Sequence, residues 1–281
     1  MPYPDFGQYE VLQLIGVGAH SRVYKVCHRD TRKRFAVKHV VLEGAGTLRY
    51  LHQLENEFER AKDLVHPNVV RVQDLVTRKR RLRVAEAYLV MELVRGASMV
   101  SSPRAYTFEQ LVFYFRQVAD ALVYIHERGI IHTDIKPKNL IITAHDLVKI
   151  VDFGQATTPG RSKGRVQGTF EFMAPEQVRD GILDVRTDIF NLAASVYFML
   201  SGRHIPPIVA ATLGNVDFVP SRSRRPDSIL DANPRITPAL DDLLRRSCSR
   251  VRDDRPSSML DFIEQFEDAI ETPPEAAPSR P

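Results

Sequence analysis

Asp134, Lys136 and Asn139 stand in the run His132-Thr133-Asp134-Ile135-Lys136-Pro137-Lys138-Asn139, and Asp152-Phe153-Gly154 begins 13 residues after Asn139. Carboxylate, ammonium, amide and second carboxylate, in that order, are what phosphoryl transfer from a metal-bound nucleotide asks for. One carboxylate orients a hydroxyl nucleophile and a cation meets the charge on the moving group. An amide and a carboxylate offer oxygen to a hard metal ion. No single residue is diagnostic; the ordered set is.

Two features upstream fit the same chemistry. Gly16-Val17-Gly18-Ala19-His20-Ser21 falls between two strand-like runs. Glycines let a backbone approach phosphates with its N–H groups forward. Two glycines in a turn are on their own only a hairpin, and strand–loop–strand is not the strand–loop–helix of a dinucleotide fold. Val23 follows where a side chain would lie on a base. Phe35-Ala36-Val37-Lys38 then puts a Lys at the end of an apolar strand. A Lys on the inner face of such a strand needs an anion, because an unpaired buried charge is costly. Glu57 is the natural partner, with Glu55 and Glu59 as rivals.

The elements that must position these groups change character along the chain. Tyr9 to Ile15, Arg22 to His28, Arg34 to Val40, Val69 to Val76 and Val84 to Val94 read as strands. Leu48 to Val65 has apolar residues at 51, 54, 58, 61, 64 and 65, which is helical spacing, and His66-Pro67-Asn68 stops it. After Arg95-Gly96 helices dominate: Thr107 to Arg128, a strongly apolar Asp188 to Ser201, Pro238 to Cys248 and Pro256 to Ile270. Short strands flank Ala144-His145-Asp146. Four prolines among the last ten residues mark a tail or the start of a linker.

With Met91-Glu92-Leu93, Gly168-Thr169, Ala174-Pro175-Glu176, Asp188 and Arg255 added in order, the chain from about Tyr9 to Phe266 resembles a eukaryotic-type (Hanks-type) serine/threonine protein kinase, similar to the bacterial branch. The resemblance implies an α+β, bilobal fold: residues 1–95 as a small antiparallel β-rich lobe with one helix, 96–270 as a mainly helical lobe, and 271–281 as the tail. It implies transfer of the γ-phosphoryl of ATP to protein Ser or Thr hydroxyls, autophosphorylation included, with Mg²⁺ or Mn²⁺, in signalling.

The same resemblance assigns roles. Lys38 would bind the α- and β-phosphates, held by Glu57. Asp134 would take or orient the hydroxyl proton, and Lys136 would neutralise the moving phosphoryl. Asn139 and Asp152 would ligand metal. Ile15, Gly16 and Gly18 would cover the nucleotide, and Val23, Ala36 and Ile141 would sandwich the base. Met91 takes the gatekeeper place, with the backbones of Glu92 and Val94 pairing with adenine. Thr169 would line the acceptor site. Glu176 with Arg255, and Asp188, would be scaffold. Lys136, two residues after Asp134, resembles the serine/threonine rather than the tyrosine branch.

Several positions depart from the pattern. Ser21 stands at the third glycine. Thr133 stands where many kinases carry the Arg that meets an activation-loop phosphate, so phosphorylation between Asp152 and Glu176 is not expected to be the main on-switch through that contact. Thr157, Thr158 and Ser162 remain acceptors. Ala61, four residues after Glu57, is small for its place, which predicts a mobile helix.

Composition narrows the alternatives. The 281 residues are 43% hydrophobic and 26% charged, which excludes a mainly disordered chain. A formal charge of +4 argues against a dedicated nucleic-acid binder. Cys27 and Cys248 make no disulfide framework or metal spacing, so two reduced, packed thiols are expected. With no spanning run and no signal-peptide pattern, the chain reads as cytoplasmic, though it could be one piece of a longer membrane protein. The expected partners are protein substrates, with self-association left open.

Arg78-Lys79-Arg80-Arg81-Leu82-Arg83 reads as a solvated hairpin loop or a dock for an acidic partner. Arg222, Arg224 and Arg225 form a second basic stretch. His132 is expected to pack near Phe153 rather than transfer protons. A pseudokinase scaffold is the alternative function. A small-molecule kinase of the aminoglycoside or choline type would lack the Gly168 to Glu176 segment.

Overall fold

A computed structural model describes residues 3–43, 46–81, 83–102, 105–161, 170–178, 181–206, 209–212, 215–218 and 225–271. The first part is an antiparallel sheet: β1 (Tyr9–Val17), β2 (Arg22–His28), β3 (Arg34–Val41), β4 (Val72–Arg80) and β5 (Arg83–Glu92), in the order β1-β2-β3-β5-β4, with α1 (Leu48–Ala61) between β3 and β4. β6 (Gly96–Ser98), which the sequence did not suggest, starts the second part. α2 (Phe108–Glu127), β7 (Leu140–Thr143), β8 (Val148–Ile150), α3 (Pro175–Val178), α4 (Val185–Ser201), the pair β9 (Val209–Thr212) and β10 (Asn215–Phe218), α5 (Pro238–Ser247) and α6 (Met259–Glu271) follow. This is the α+β, two-part architecture expected. Among the described residues no helix is long and apolar enough to cross a membrane.

Strand periodicity puts Lys38 where it can act. Side chains alternate across β3, so Ala36 and Val40 join the main core, while Val37 packs with Tyr24, Val26, Tyr88 and Val90 on the other face. Lys38 shares the face of Ala36 and Val40. The outer face is covered by Phe6, only 1% exposed and 4.9 Å from the Tyr88 ring. The main core is continuous from Ala36 through α2 and α4 to Ala269 in α6.

Several elements differ from their expected limits. α1 ends at Ala61, not Val65, which is 62% exposed and gives its N–H to the Tyr124 hydroxyl. Leu64 still reaches the core through a tighter turn, its N–H bonded to the Ala61 carbonyl. β4 starts at Val72 because Val70 N–H is bonded to Ile150 of β8 instead. The basic run is strand rather than loop: Arg78, Lys79 and Arg80 belong to β4, Arg83 to β5, and Arg81 turns at φ 57°. α4 begins at Val185, capped by Asp184, so Asp188 lies in its first turn. α6 begins at Met259, three residues later than Pro256.

α2 carries a full capping box, Gln110 N–H to Thr107 Oγ1 and Thr107 N–H to Gln110 Oε1, and is followed by Gly129 at φ 68°. Gly96 has a packing reason. A Cβ there would fall 2.1 Å from the Ile142 carbonyl oxygen, so only glycine lets β6 lie against β7. Cys27 and Cys248 are buried and unpaired, and burial pushes the Cys248 thiol up.

Candidate active site

Lys38 Nζ lies 2.6 Å from Glu57 Oε2 and 2.9 Å from Asp152 Oδ1. β3, α1 and the turn after β8 thus converge on one ammonium. Glu57 is 2% exposed, so of the three acidic residues considered on this helix it alone faces inward with Lys38. Two carboxylates share one cation, and the titration directions follow. Burial alone would lower Lys38, but the Glu57 and Asp152 charges raise it. Burial raises Glu57 against the partial offset of Lys38. Burial would also raise Asp152, yet the Lys38 charge and hydrogen bond hold it at about 2. Asp152 is therefore anionic at neutral pH.

Two non-glycine residues of the site have left-handed backbone, Thr133 at φ 61° and Asp152 at φ 68°. Each such residue costs about 1–3 kcal/mol and persists where its surroundings over-determine it. Around Asp152, Phe153 is fully buried with its ring 4.7 Å from His132, as expected for that pair. Asn56, beside Glu57 on α1, donates to the Ala156 carbonyl at 2.8 Å. Around Thr133, the N–H donates to Asp188 Oδ1 at 2.6 Å, the hydroxyl to the Gln155 carbonyl at 2.8 Å, and the Thr133 carbonyl accepts from Gln177 Nε2 at 2.7 Å.

Asp188 is fully buried and accepts from His132 N–H at 2.8 Å and from His126 Nε2 at 2.8 Å, besides Thr133. Burial would raise this carboxyl; the His126 and backbone donors keep it below its ordinary range. The loop before Asp134 is thus clamped by one carboxylate of α4. Burial keeps His132 neutral, and its Nδ1 accepts the Asp134 N–H.

Lys136 Nζ reaches both oxygens of Asp134, at 3.0 and 2.9 Å, and Asn139 Nδ2 donates to the Asp134 carbonyl and to Oδ2 at 2.9 and 3.0 Å. The carboxylate is fixed in rotation by two donors. Both Asn139 N–H bonds are spent on Asp134, which leaves Oδ1 as the atom Asn139 can offer a cation. Asp152 likewise gives Oδ1 to Lys38, and its side chain is 41% exposed to the cleft.

Among the described residues no group of three His, Cys, Asp or Glu side chains is placed to hold a metal unaided. An amide oxygen and a carboxylate fit a hard ion whose remaining ligands are phosphate and water, the usual Mg²⁺ arrangement.

On the base side, β3–β5 register sets Ala36 opposite Met91, 6% and 8% exposed, with Val23 and Val94 packed against the same core. Ile141 on β7 is half-buried and abuts Gly96, while Ile15 is 45% exposed at the mouth. Gly16 packs on Val23. At Gly18 an added Cβ would meet Ser21 Oγ at 2.9 Å, so Ser21 fills the third glycine place by leaning on the second. Under this loop a chamber of about 200 Å³ is lined by Gly18, His20, Lys38, Tyr50, Glu57 and Asp152, among others. A larger cleft, about 490 Å³, lies behind the link between the two parts, at Phe35, Leu93 and Lys149. Of the expected site residues it is lined by Glu92 alone; it holds none of Lys38, Glu57, Asp134, Asn139 or Asp152 and is not the site.

Glu176 and Arg255 form a two-pronged ion pair at 2.7 and 2.9 Å, with Thr187 donating to the same carboxylate. Thr169, Ser162, Arg222 and Arg224 lie outside the described residues. Sequence reasoning missed Asn56, His126, Gln177 and Lys149. Lys149 ties β8 to the Glu92 side chain at 2.9 Å, behind the backbone expected to meet adenine. None carries a periodic signal; a polar residue inside an apolar run, as Lys149 is, was the available clue.

A sequence profile of the protein kinase domain matches residues 9–268. A probable serine/threonine-protein kinase of Clostridium perfringens is 33% identical over 69% of this chain and 29% of its own length. The serine/threonine-protein kinase PknD of Mycobacterium tuberculosis is 28% identical over 95% of this chain and 40% of its own. Sperm motility kinase 2B of Mus musculus is 29% identical over 84% and 51%. The chain thus spans between 29% and 51% of the length of these relatives. A domain match over nearly the whole chain, on a cleft that gathers Lys38, Glu57, Asp134, Asn139 and Asp152, places this chain in the protein kinase family.

Proposed function

We propose that this chain transfers the γ-phosphoryl group of ATP to Ser or Thr hydroxyls of proteins, its own included, with Mg²⁺ or Mn²⁺. The observation that carries this is the Asp134 cluster, a carboxylate held by Lys136 and Asn139, with the Asn139 carbonyl accepting from Val151 N–H, one residue before the Asp152 that meets Lys38. A scaffold without activity has no need to fix a carboxylate by two donors in a strained loop.

In this reading Lys38, aligned by Glu57, holds the α- and β-phosphates, and the Gly16–Ser21 loop covers them. Asp134 accepts the proton of the acceptor hydroxyl as its oxygen bonds to the γ-phosphorus and the bond to the β–γ bridging oxygen breaks, leaving ADP. Lys136 turns its ammonium to the charge on the moving group. Asn139 Oδ1 and Asp152 hold the metal, which when bound neutralises phosphate charge. Most of the effect is positioning and electrostatics. Ala36, Met91, Val23 and Ile141 enclose the base, the Glu92 and Val94 backbones pair with it, and Thr169 lines the acceptor site.

Lys136 and the serine/threonine names of the bacterial relatives favour Ser and Thr over Tyr. Incubation with labelled ATP and Mg²⁺, followed by mapping of modified residues, tests acceptor and activity together. Label on Tyr alone, or none with nucleotide still bound, would overturn the proposal.

A further inference from the structure

His20 projects from the tip of the loop between β1 and β2, a turn closed by Gly18 N–H on the Ser21 carbonyl at 2.8 Å. The residue stays exposed, yet its ring stacks on the half-buried Tyr50 of α1, centroids 3.9 Å apart and planes 24° from parallel. The Arg49 guanidinium also lies over Tyr50, 4.7 Å from its centroid, and donates to its hydroxyl. Tyr50 and Glu57 are seven residues apart, so they share one face of α1. Both His20 and Tyr50 line the chamber that contains Lys38, Glu57 and Asp152. The loop over that chamber and the helix that supplies its buried carboxylate therefore touch through this ring pair.

We propose that the His20–Tyr50 stack is a latch that couples closure of the glycine loop over the nucleotide phosphates to the position of α1, with His20 a positioning residue for phosphoryl transfer. The inference rests on the kinase reading above. The first residue of α1, Leu48, is 59% exposed, and the first core anchor of the helix is Leu51, one position beyond Tyr50. A loop held down by phosphates keeps Tyr50, and so Glu57, in the position where Glu57 meets Lys38 at 2.6 Å. By reciprocity a well-placed α1 holds the loop down and tightens nucleotide binding.

The test compares wild type, His20→Ala, Tyr50→Ala, the double variant and His20→Phe, which keeps a ring to stack. Steady-state kinetics with Mg·ATP and casein as acceptor gives KM and kcat; calorimetry gives Mg·ADP affinity without turnover. Loss of one aromatic pair is expected to raise both KM for ATP and the Mg·ADP dissociation constant about threefold to tenfold, with kcat less affected. Tyr50→Ala should match it, the double variant should be no worse than either single one, and His20→Phe should behave as wild type. Mg·ADP should protect amides 48–57 from hydrogen exchange in wild type and much less in His20→Ala. Additive effects, unchanged affinity, or undiminished protection of 48–57 in His20→Ala would overturn the latch alone. A wild type that neither binds Mg·ADP nor transfers phosphate would overturn the kinase reading, and the latch with it.

Discussion

Lys136 and Asn139 donate to the Asp134 carboxylate and its own N–H rests on His132; an asparagine keeps the backbone bond and one acceptor oxygen. Asp134→Asn therefore keeps the fold and nucleotide binding while removing the proton acceptor. The expected result is a fall of about 10²–10⁴ in kcat with Mg·ADP affinity within a few-fold of wild type, read by labelled-ATP transfer beside calorimetry. Thr133 leads to a second expectation. Its hydroxyl donates to the neutral Gln155 carbonyl, in the place where a cation would meet a phosphate. Thr157 is already tied by its backbone to Ile131 on both sides. Triple alanine replacement of Thr157, Thr158 and Ser162 should leave transfer to an exogenous protein within about twofold of wild type, far from the kilocalorie-scale change a lost charge-assisted contact would bring. Loss of activity, restored in a phosphorylated form, would refute it. At this scale the sequence was highly legible for charged groups, because Lys38, Glu57, Asp134, Asn139 and Asp152 follow a fixed order. It was silent on Gln177, Asn56 and His126, whose partners are mostly backbone atoms distant in sequence.

Helices and strands were legible where one face is buried and one is wet. β2 matches its expected limits, and α1, α2 and α5 announce themselves by spacing; α1 was overrun because Leu64 and Val65 extend its apolar pattern by chance while Pro67 forces the exit. β6 has three residues and no pattern, and only the clash that a side chain at Gly96 would make explains it. The basic run misled because a charged strand at a hairpin end looks like a loop; Arg78 is held by Glu86 and lies over Tyr88. The tie between α3 and the turn before α6 is the one whose energetics can be read directly. Arg255 is fully buried and Glu176 11% exposed by side chain. Burial would raise Glu176, but Arg255 lowers it below its ordinary 4.5. A depressed folded-state value means the stabilisation is whole above that ordinary value and is lost as pH falls through the folded one. Glu176→Gln should therefore cost about 3–5 kcal/mol at pH 7, and the gap to wild type should narrow steadily below pH ~4.5. Urea unfolding at a series of pH values measures it. A gap independent of pH would show that packing, not charge, holds these elements together.

Across the whole molecule, polar contacts between described residues join the β-rich part to the helical part beside the shared core, the following four among them. Lys38 meets Asp152, Asn56 meets Ala156, Lys149 meets Glu92, and Asn68 meets the Val148 carbonyl at 2.8 Å. The order of motifs made the two-part fold legible, but not these contacts, since each pairs residues at least 57 apart with no rule linking them. Three of them surround the proposed nucleotide site, so a ligand that binds Lys38 from one part and a metal on Asn139 and Asp152 from the other should stabilise both parts together. A non-hydrolysable ATP analogue with Mg²⁺ at a hundred times its dissociation constant is expected to add about 2.7 kcal/mol, which for a chain of this size is a rise of roughly 5–10 °C in Tm. Chelation of Mg²⁺ should remove most of that rise. Asp152→Asn should lower the shift and make it nearly independent of Mg²⁺, because one metal ligand and one partner of Lys38 go together. A scanning-calorimetry shift in wild type that is the same with and without Mg²⁺ would mean that Asn139 and Asp152 hold no metal, and the Asp134 cluster would then need another source of charge neutralisation to act on a triphosphate.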